Sequence, residues 1–311
     1  MKRSIRNILT ILFLAAFSAH AQQPGYYRLQ VGDIQVTALS DGTVPLDLAK
    51  LLSNTQPGEV EKLLALNFMP TTVESSVNAY LVKTGGKLIL VDAGTAGNFG
   101  PTLGKLTKSL AQAGYTPDQI DAVLITHAHV DHVGGLMEGD KMVFPNATIY
   151  ISKPEAEFWF GAKSKGNIPE KLKGFYKFAD ASVSPYIKAG KVKTFDYGEE
   201  LFPGIMPLAR PGHTPGHTFY LLSSKGEKLV FWGDVIHSAA IQFTDPSVTI
   251  DYDVDTKAAA VTRKQALAEA AKNGYWVASD HISFPGIGHV RADGSKYVWV
   301  PANYSTYTLA Q

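Results

Sequence analysis

Four side chains able to hold a divalent cation fall within six residues: His127, His129, Asp131 and His132. Neutral imidazole nitrogens suit zinc, and carboxylate oxygens suit zinc, manganese or iron. The apolar, β-branched run 121–126 precedes them and reads as a buried strand. Gly134 and Gly135 follow and permit tight turns. The ligands therefore sit on a loop at a strand end, where open α/β sheets carry their chemistry. A strand sends His127 and His129 to one side, and the turn after it brings Asp131 and His132 round. Such a loop can face two adjacent metals.

More candidates lie downstream. Residues 209–220 read Ala-Arg-Pro-Gly-His-Thr-Pro-Gly-His-Thr-Phe-Tyr. Gly212 and Gly216 let backbone approach closely, and Pro211 and Pro215 stiffen the loop. His213 and His217 are both candidates, and spacing does not choose between them. The strand 228–232 ends at Gly233-Asp234, a carboxylate well placed to bridge two metals, with His237 three residues on. The run 275–278 reads as the last core strand and delivers Asp280 and His281. Asp92, at the end of another strand, reads either as an acceptor for a ligand imidazole or as a turn residue. There is no cysteine, so thiolate ligands and disulfides are excluded and His and carboxylate must hold any metal.

The elements that position these groups can be read in order. Two strands, 25–32 and 34–40, join at Gly32-Asp33, and 46–70 holds short helices and a loop. A hairpin, 77–83 with 87–92, turns at Gly85-Gly86. Residues 103–113 carry helical spacing stopped by Gly114, and 147–151 is a strand. A helix begins at 155–160, followed by a Lys-rich, aromatic stretch to Ala189. The clearest helix spans 251–273 and stops at Gly274. Residues 284–289 form a Gly/Pro loop and 297–301 a closing strand. Strands precede helices in both halves, which predicts one α/β domain of two similar halves. Among the aromatics, core packing is the plain expectation; Trp159 and Phe175 are the candidates for a wall beside the metals.

The chain has 311 residues, 45% hydrophobic and 18% charged, enough for a large globular core and unlike a disordered chain. A net charge of +1 points to neither nucleic acid nor an anionic membrane as partner. Lys2, Arg3 and Arg6, the apolar run 8–17 and Ala19-His20-Ala21 have the form of a signal peptide. The run is too short to span a bilayer. The expectation is a leader at 1–21, a single domain at 22–311, and a periplasmic or secreted protein without a membrane partner after cleavage.

Taken together, THAHVDH, GHTPGH, GD and a late strand-end histidine resemble the metallo-β-lactamase fold hydrolases. PGYYR, ALSDGTV, FGPTLG, THAHVDHVGGLM, FPNA, GHTPGHT, DPSVT and HISFPGIGHVR are similar to the methyl parathion hydrolase-like branch, which includes lactone and aryl-ester hydrolases. The likeness spans essentially the whole mature chain. It implies an αββα sandwich with two divalent ions, zinc foremost, with manganese, iron or cobalt allowed. It implies that His127, His129 and His217 hold one metal, that Asp131, His132 and His281 hold the other, and that Asp234 bridges them, with His213 supporting. Asp280 and His289 are left unassigned, with structural hydrogen bonding as the plain expectation.

The resemblance also implies a water acidified between two cations that attacks a carbonyl or phosphoryl centre. Asp131, Asp234 and His237 form the expected catalytic set. Phe99, Trp159, Phe175, His237 and Ile250 are the expected substrate contacts. The organophosphate specialists of that branch carry an aliphatic residue in place of His237, and smaller residues in place of Ile250 and Tyr252. These departures favour a lactone or aryl-ester hydrolase with phosphotriesterase activity as a side reaction, acting on small molecules as a homodimer. The competing expectations are a dedicated organophosphate hydrolase, a β-lactamase, and a metal-binding protein without catalysis.

Overall fold

The structure is a computed structural model that describes residues 24–162 and 170–304. The expected leader at 1–21 lies outside the described residues, as does 163–169 of the Lys-rich stretch.

The first half runs β1 (Tyr26–Val31), β2 (Ile34–Asp47), α1 (Leu48–Leu51), β3 (Leu52–Ser53), α2 (Glu59–Leu66), β4 (Thr72–Thr84), β5 (Lys87–Val91), α3 (Leu106–Gln112), β6 (Ala122–Leu124) and α4 (Val130–Val133). It continues with β7 (Met137–Glu138), β8 (Lys141–Met142), β9 (Thr148–Ser152), α5 (Lys153–Phe160), α6 (Lys173–Lys188) and β10 (Val192–Phe195). The second half runs β11 (Ile205–Ala209), β12 (Thr218–Ser224), β13 (Glu227–Phe231), α7 (Ala239–Gln242), β14 (Thr249–Ile250), α8 (Thr256–Asn273), β15 (Trp276–Ala278), β16 (Ile287–Asp293) and β17 (Lys296–Pro301).

Two sheets carry the fold. One has seven strands in the order β1-β2-β4-β5-β6-β9-β10, and the other six in the order β11-β12-β13-β15-β16-β17. Strands β5, β6, β9 and β10 run parallel, as do β13 and β15. The period-two alternation of each strand sorts its side chains into layers. From β5, Ile89 and Val91 face the space between the sheets while Leu90 faces the outer helices. From β13, Leu229 and Phe231 face inward and Val230 packs against the α8 side. The expected αββα sandwich is the fold observed.

Three expectations are corrected. The strand at 276–278 is not the last of the core: β15 sits inside its sheet, flanked by β13 and β16. Pairing resumes at Ile287 opposite Ala278, so the Gly/Pro loop is shorter than expected. The helix expected from 251 begins at Thr256, because the Asp255 side chain accepts the Ala258 N–H and caps it. Its C-terminus is as expected, with Gly274 in the left-handed region at φ 64°. Among the described residues no helix is long and apolar enough to cross a membrane.

Candidate metal centre

The parallel strands deliver the site at their C-terminal ends: Asp92 after β5, the 127–132 loop after β6, Asp234 after β13, and Asp280-His281 after β15. His213 comes from the loop between β11 and β12. Two of the clusters these side chains form share one carboxylate, and Asp92, His132 and Asp280 make a third behind them. His127, His129, His213 and Asp234 make the first, and Asp131, His132, His281 and Asp234 the second, with the ligand atoms of each within 4.8 Å of one another. Asp234 Oδ2 lies 3.3 Å from His213 Nε2 and 3.1 Å from His281 Nε2, and its Oδ1 lies 3.1 Å from His132 Nε2.

The expected ligand His217 is not in either cluster, and His213 stands in its place. His217 Nε2 accepts the Asp234 backbone N–H at 3.0 Å, and its Nδ1 lies 3.1 Å from the Arg210 carbonyl. Both ring nitrogens are therefore engaged within the protein. His213 is turned inward because its loop lies on the first turn of α8. Gly212 sits at φ 139°, and a Cβ there would come within 2.3 Å of the Ala259 nitrogen. Val254 N–H and Asp255 N–H then bond the carbonyls of His213 and Gly212.

Outer partners set the tautomers. Asp253 Oδ1 lies 2.8 Å from His213 Nδ1 and can only accept, so Nδ1 keeps a proton and Nε2 is the nitrogen left to a cation. His281 Nδ1 donates to the Ser76 carbonyl at 2.9 Å, with the same consequence. Asp92 plays the supporting part considered for it: its Oδ2 lies 2.8 Å from His132 Nδ1, and it also takes the Thr126 N–H and hydroxyl. Asp92 holds φ 58°, a left-handed conformation uncommon outside glycine, which aims its carboxylate at the loop. Asp280, left unassigned, stands 3.2 Å from the same His132 Nδ1. His289 lies away from the centre, bonded to the Tyr275 carbonyl and packed on Trp276.

The donor set fits divalent cations. His127 Nε2, His132 Nε2 and Asp234 Oδ1 are buried and make no hydrogen bond. Leaving such atoms unpaired is costly, and coordination satisfies them. Among the protein's own groups, burial opposes charge on His213 and His281, yet the neighbouring carboxylates outweigh it and bring each to about 9. Burial, with His213 nearby, pulls His217 down to about 3. Burial and the adjacent Asp92 raise Asp280 well above the usual carboxylate range. An Asp92→Asn variant is expected to weaken metal binding roughly 10–100-fold, read by competition with a chromophoric chelator.

A cavity of about 370 Å³ opens onto Asp131, Asp234, His237 and His281. Phe99, Phe175 and Phe178 line it, as expected for the first two; Phe175 lies over His129 with centroids 4.7 Å apart. Two expected contacts are elsewhere. Trp159 is buried behind His129, its Nε1–H donating to Glu155, so it supports a ligand rather than lining the cavity. Ile250 pairs with Leu52 and packs in a satellite core with Leu48, Val60 and Leu64. Tyr252, two residues on, reaches the cavity instead.

Residues 72–301 match the model of the Metallo-beta-lactamase superfamily. The chain belongs to this superfamily. Among solved structures, this superfamily member is similar to the hydrolase AbOPH of the beta lactamase superfamily, with 40% identity and a TM-score of 0.86 over 91% of this chain and 99% of that one. It is also similar to AidC, a dizinc quorum-quenching lactonase solved with a product, with 31% identity and a TM-score of 0.84 over 91% and 99% of the chains. A ribonuclease of Thermus thermophilus is 30% identical over 192 residues, which are 56% of this chain and 38% of the ribonuclease. The chain thus spans well under half the length of that curated relative.

Proposed function

We propose that the protein is an exported two-metal hydrolase of lactones and aryl esters, of the methyl parathion hydrolase-like branch, with phosphotriester cleavage as a side reaction. The observation that carries this reading is a cavity apolar on its walls and polar on its floor, where Asp131, Asp234, His237 and His281 meet. A lactone or aryl ester matches it: an apolar body with one reacting carbonyl. The dizinc lactonase AidC, similar over nearly all of its length, supports the same substrate class.

The residues have distinct parts. His127, His129 and His213 with Asp234 would hold one divalent ion, and Asp131, His132 and His281 with Asp234 the other. Bound there, two divalent cations would supply Lewis acidity toward water and toward the oxygen that gains charge. Phe99, Phe175 and Phe178 would hold the apolar body and exclude water. Asp131 faces the cavity with a carboxylate able to take the proton of the attacking water. Burial pulls His237 down to about 4 against the pull of Asp234. A neutral His237 with Nε2 3.2 Å from Asp234 Oδ2 carries its proton on Nε2 and gives it to that carboxylate; with Asp234 engaged by a cation, the same N–H would be free to donate to the carbonyl or leaving oxygen.

The test is steady-state kinetics of zinc- or manganese-loaded protein on dihydrocoumarin and methyl parathion side by side. The expected result is a catalytic efficiency at least about tenfold higher on the lactone, the worth of one good hydrogen bond to developing charge. A higher efficiency on the triester would overturn the reading in favour of a dedicated organophosphate hydrolase.

A further inference from the structure

Glu155, in the first turn of α5, is fully buried and belongs to neither metal cluster. Its Oε1 accepts the Ala128 N–H at 2.8 Å and the Trp159 Nε1–H at 2.7 Å. Its Oε2 accepts the Thr214 hydroxyl at 2.7 Å and the Gly216 N–H at 2.9 Å. Ala128 sits between His127 and His129, and Thr214 follows His213. The second loop lies directly on the helix start: a Cβ on Gly216 would come within 2.1 Å of the Glu155 nitrogen. Ser152 Oγ donates to the Gly216 carbonyl and closes the same junction.

One carboxylate therefore stitches together the two loops that carry the three imidazoles of the first cluster. It makes no hydrogen bond to the residues that belong to the second cluster alone, Asp131, His132 and His281. An ion is not needed to fill the space, since an apolar group of similar shape escapes the desolvation cost. What a carboxylate alone provides is four acceptor sites at fixed angles.

We propose that Glu155 is a positioning residue for the first metal, setting the spacing of His127 and His129 against His213. It acts on affinity at that cluster and leaves the other unchanged. This rests on the two-metal reading of the site. Glu155→Gln conserves the shape but turns one acceptor oxygen into an amide donor facing two donors. Thr214→Val removes a single donor and perturbs the fold least.

The experiment measures zinc content after dialysis against graded chelator, together with the visible spectrum of the cobalt-loaded proteins and their thermal unfolding. The wild type is expected to hold two metals. Glu155→Gln should hold one as tightly and release the other at roughly 10–100-fold lower chelator strength, with an altered cobalt spectrum. Thr214→Val should move the same way by less, and it decides the matter if the glutamine variant does not fold. Wild-type affinity and spectrum in the folded variants, with only the melting temperature lowered, would overturn the proposal, as would equal weakening of both metals. A wild type holding fewer than two metals would sink the two-metal reading itself.

Discussion

Replacing His213 with alanine is expected to remove one of two bound metals and nearly all turnover, whereas His217→Ala should hold both. The two histidines sit four residues apart in one loop and differ only in what they face. His213 Nε2 points at His129 Nδ1, 3.0 Å away, and at Asp234. His217 Nε2 is taken up by the Asp234 N–H. Losing His213 removes a donor from the cluster outright, so the effect should exceed the roughly 10–100-fold typical of an outer partner. Losing His217 loosens the backbone of Asp234 and belongs within that range. Metal content by elemental analysis, beside kcat/KM, distinguishes them. Full metal in His213→Ala and a single metal in His217→Ala would reverse the assignment.

The second large effect concerns substrate choice. His237 lines the cavity, and replacement by leucine removes the hydrogen bond proposed for it toward the substrate oxygen while adding apolar wall. A hydrogen bond to a charged group contributes about 1.5–3 kcal/mol, so its loss should lower lactone efficiency about 10–100-fold. A phosphotriester with an aromatic leaving group gains contact area instead. The ratio of efficiencies on dihydrocoumarin and methyl parathion should therefore swing toward the triester. An unchanged ratio would show that His237 does not touch the reacting oxygen.

Much of the centre was legible because its ligands are dense and follow strands with strong β signals. The run 121–126 contains β6, and His127, His129, Asp131 and His132 all reach the centre. Asp234 and His281 were legible for the same reason, each following a short apolar strand. The choice between His213 and His217 was not. It is made by Gly212 lying on α8, a contact between segments more than forty residues apart in the chain. Glu155 and Asp253 were missed because their local surroundings suggest ordinary roles. Glu155 stands three residues after Ser152 at a helix start, and Asp253 lies among Asp251 and Asp255 before another. Which acid caps a helix and which turns inward depends on loops that come from elsewhere. Trp159 shows the converse: an aromatic beside the site in sequence is buried because the indole N–H reaches Glu155 one helical turn back.

The division of ligands between the two halves has a mechanical consequence. His127 and His129 come from one half of the chain and His213 and Asp234 from the other; Asp131 and His132 likewise face His281 and Asp234. Each cation would thus act as a cross-link over the seam between two sheets. Neither half can capture a metal at full strength alone, so tight loading reports that both have folded and docked. A free ion at a hundred times its dissociation constant adds about 2.7 kcal/mol against unfolding. Two such rivets would add to a seam already held by side-chain packing, by the pairing of β3 with β14 and by hydrogen bonds such as Asn78 N–H to the Asp280 carbonyl and Thr218 N–H to the Thr126 carbonyl, and would make it the part of the molecule slowest to open.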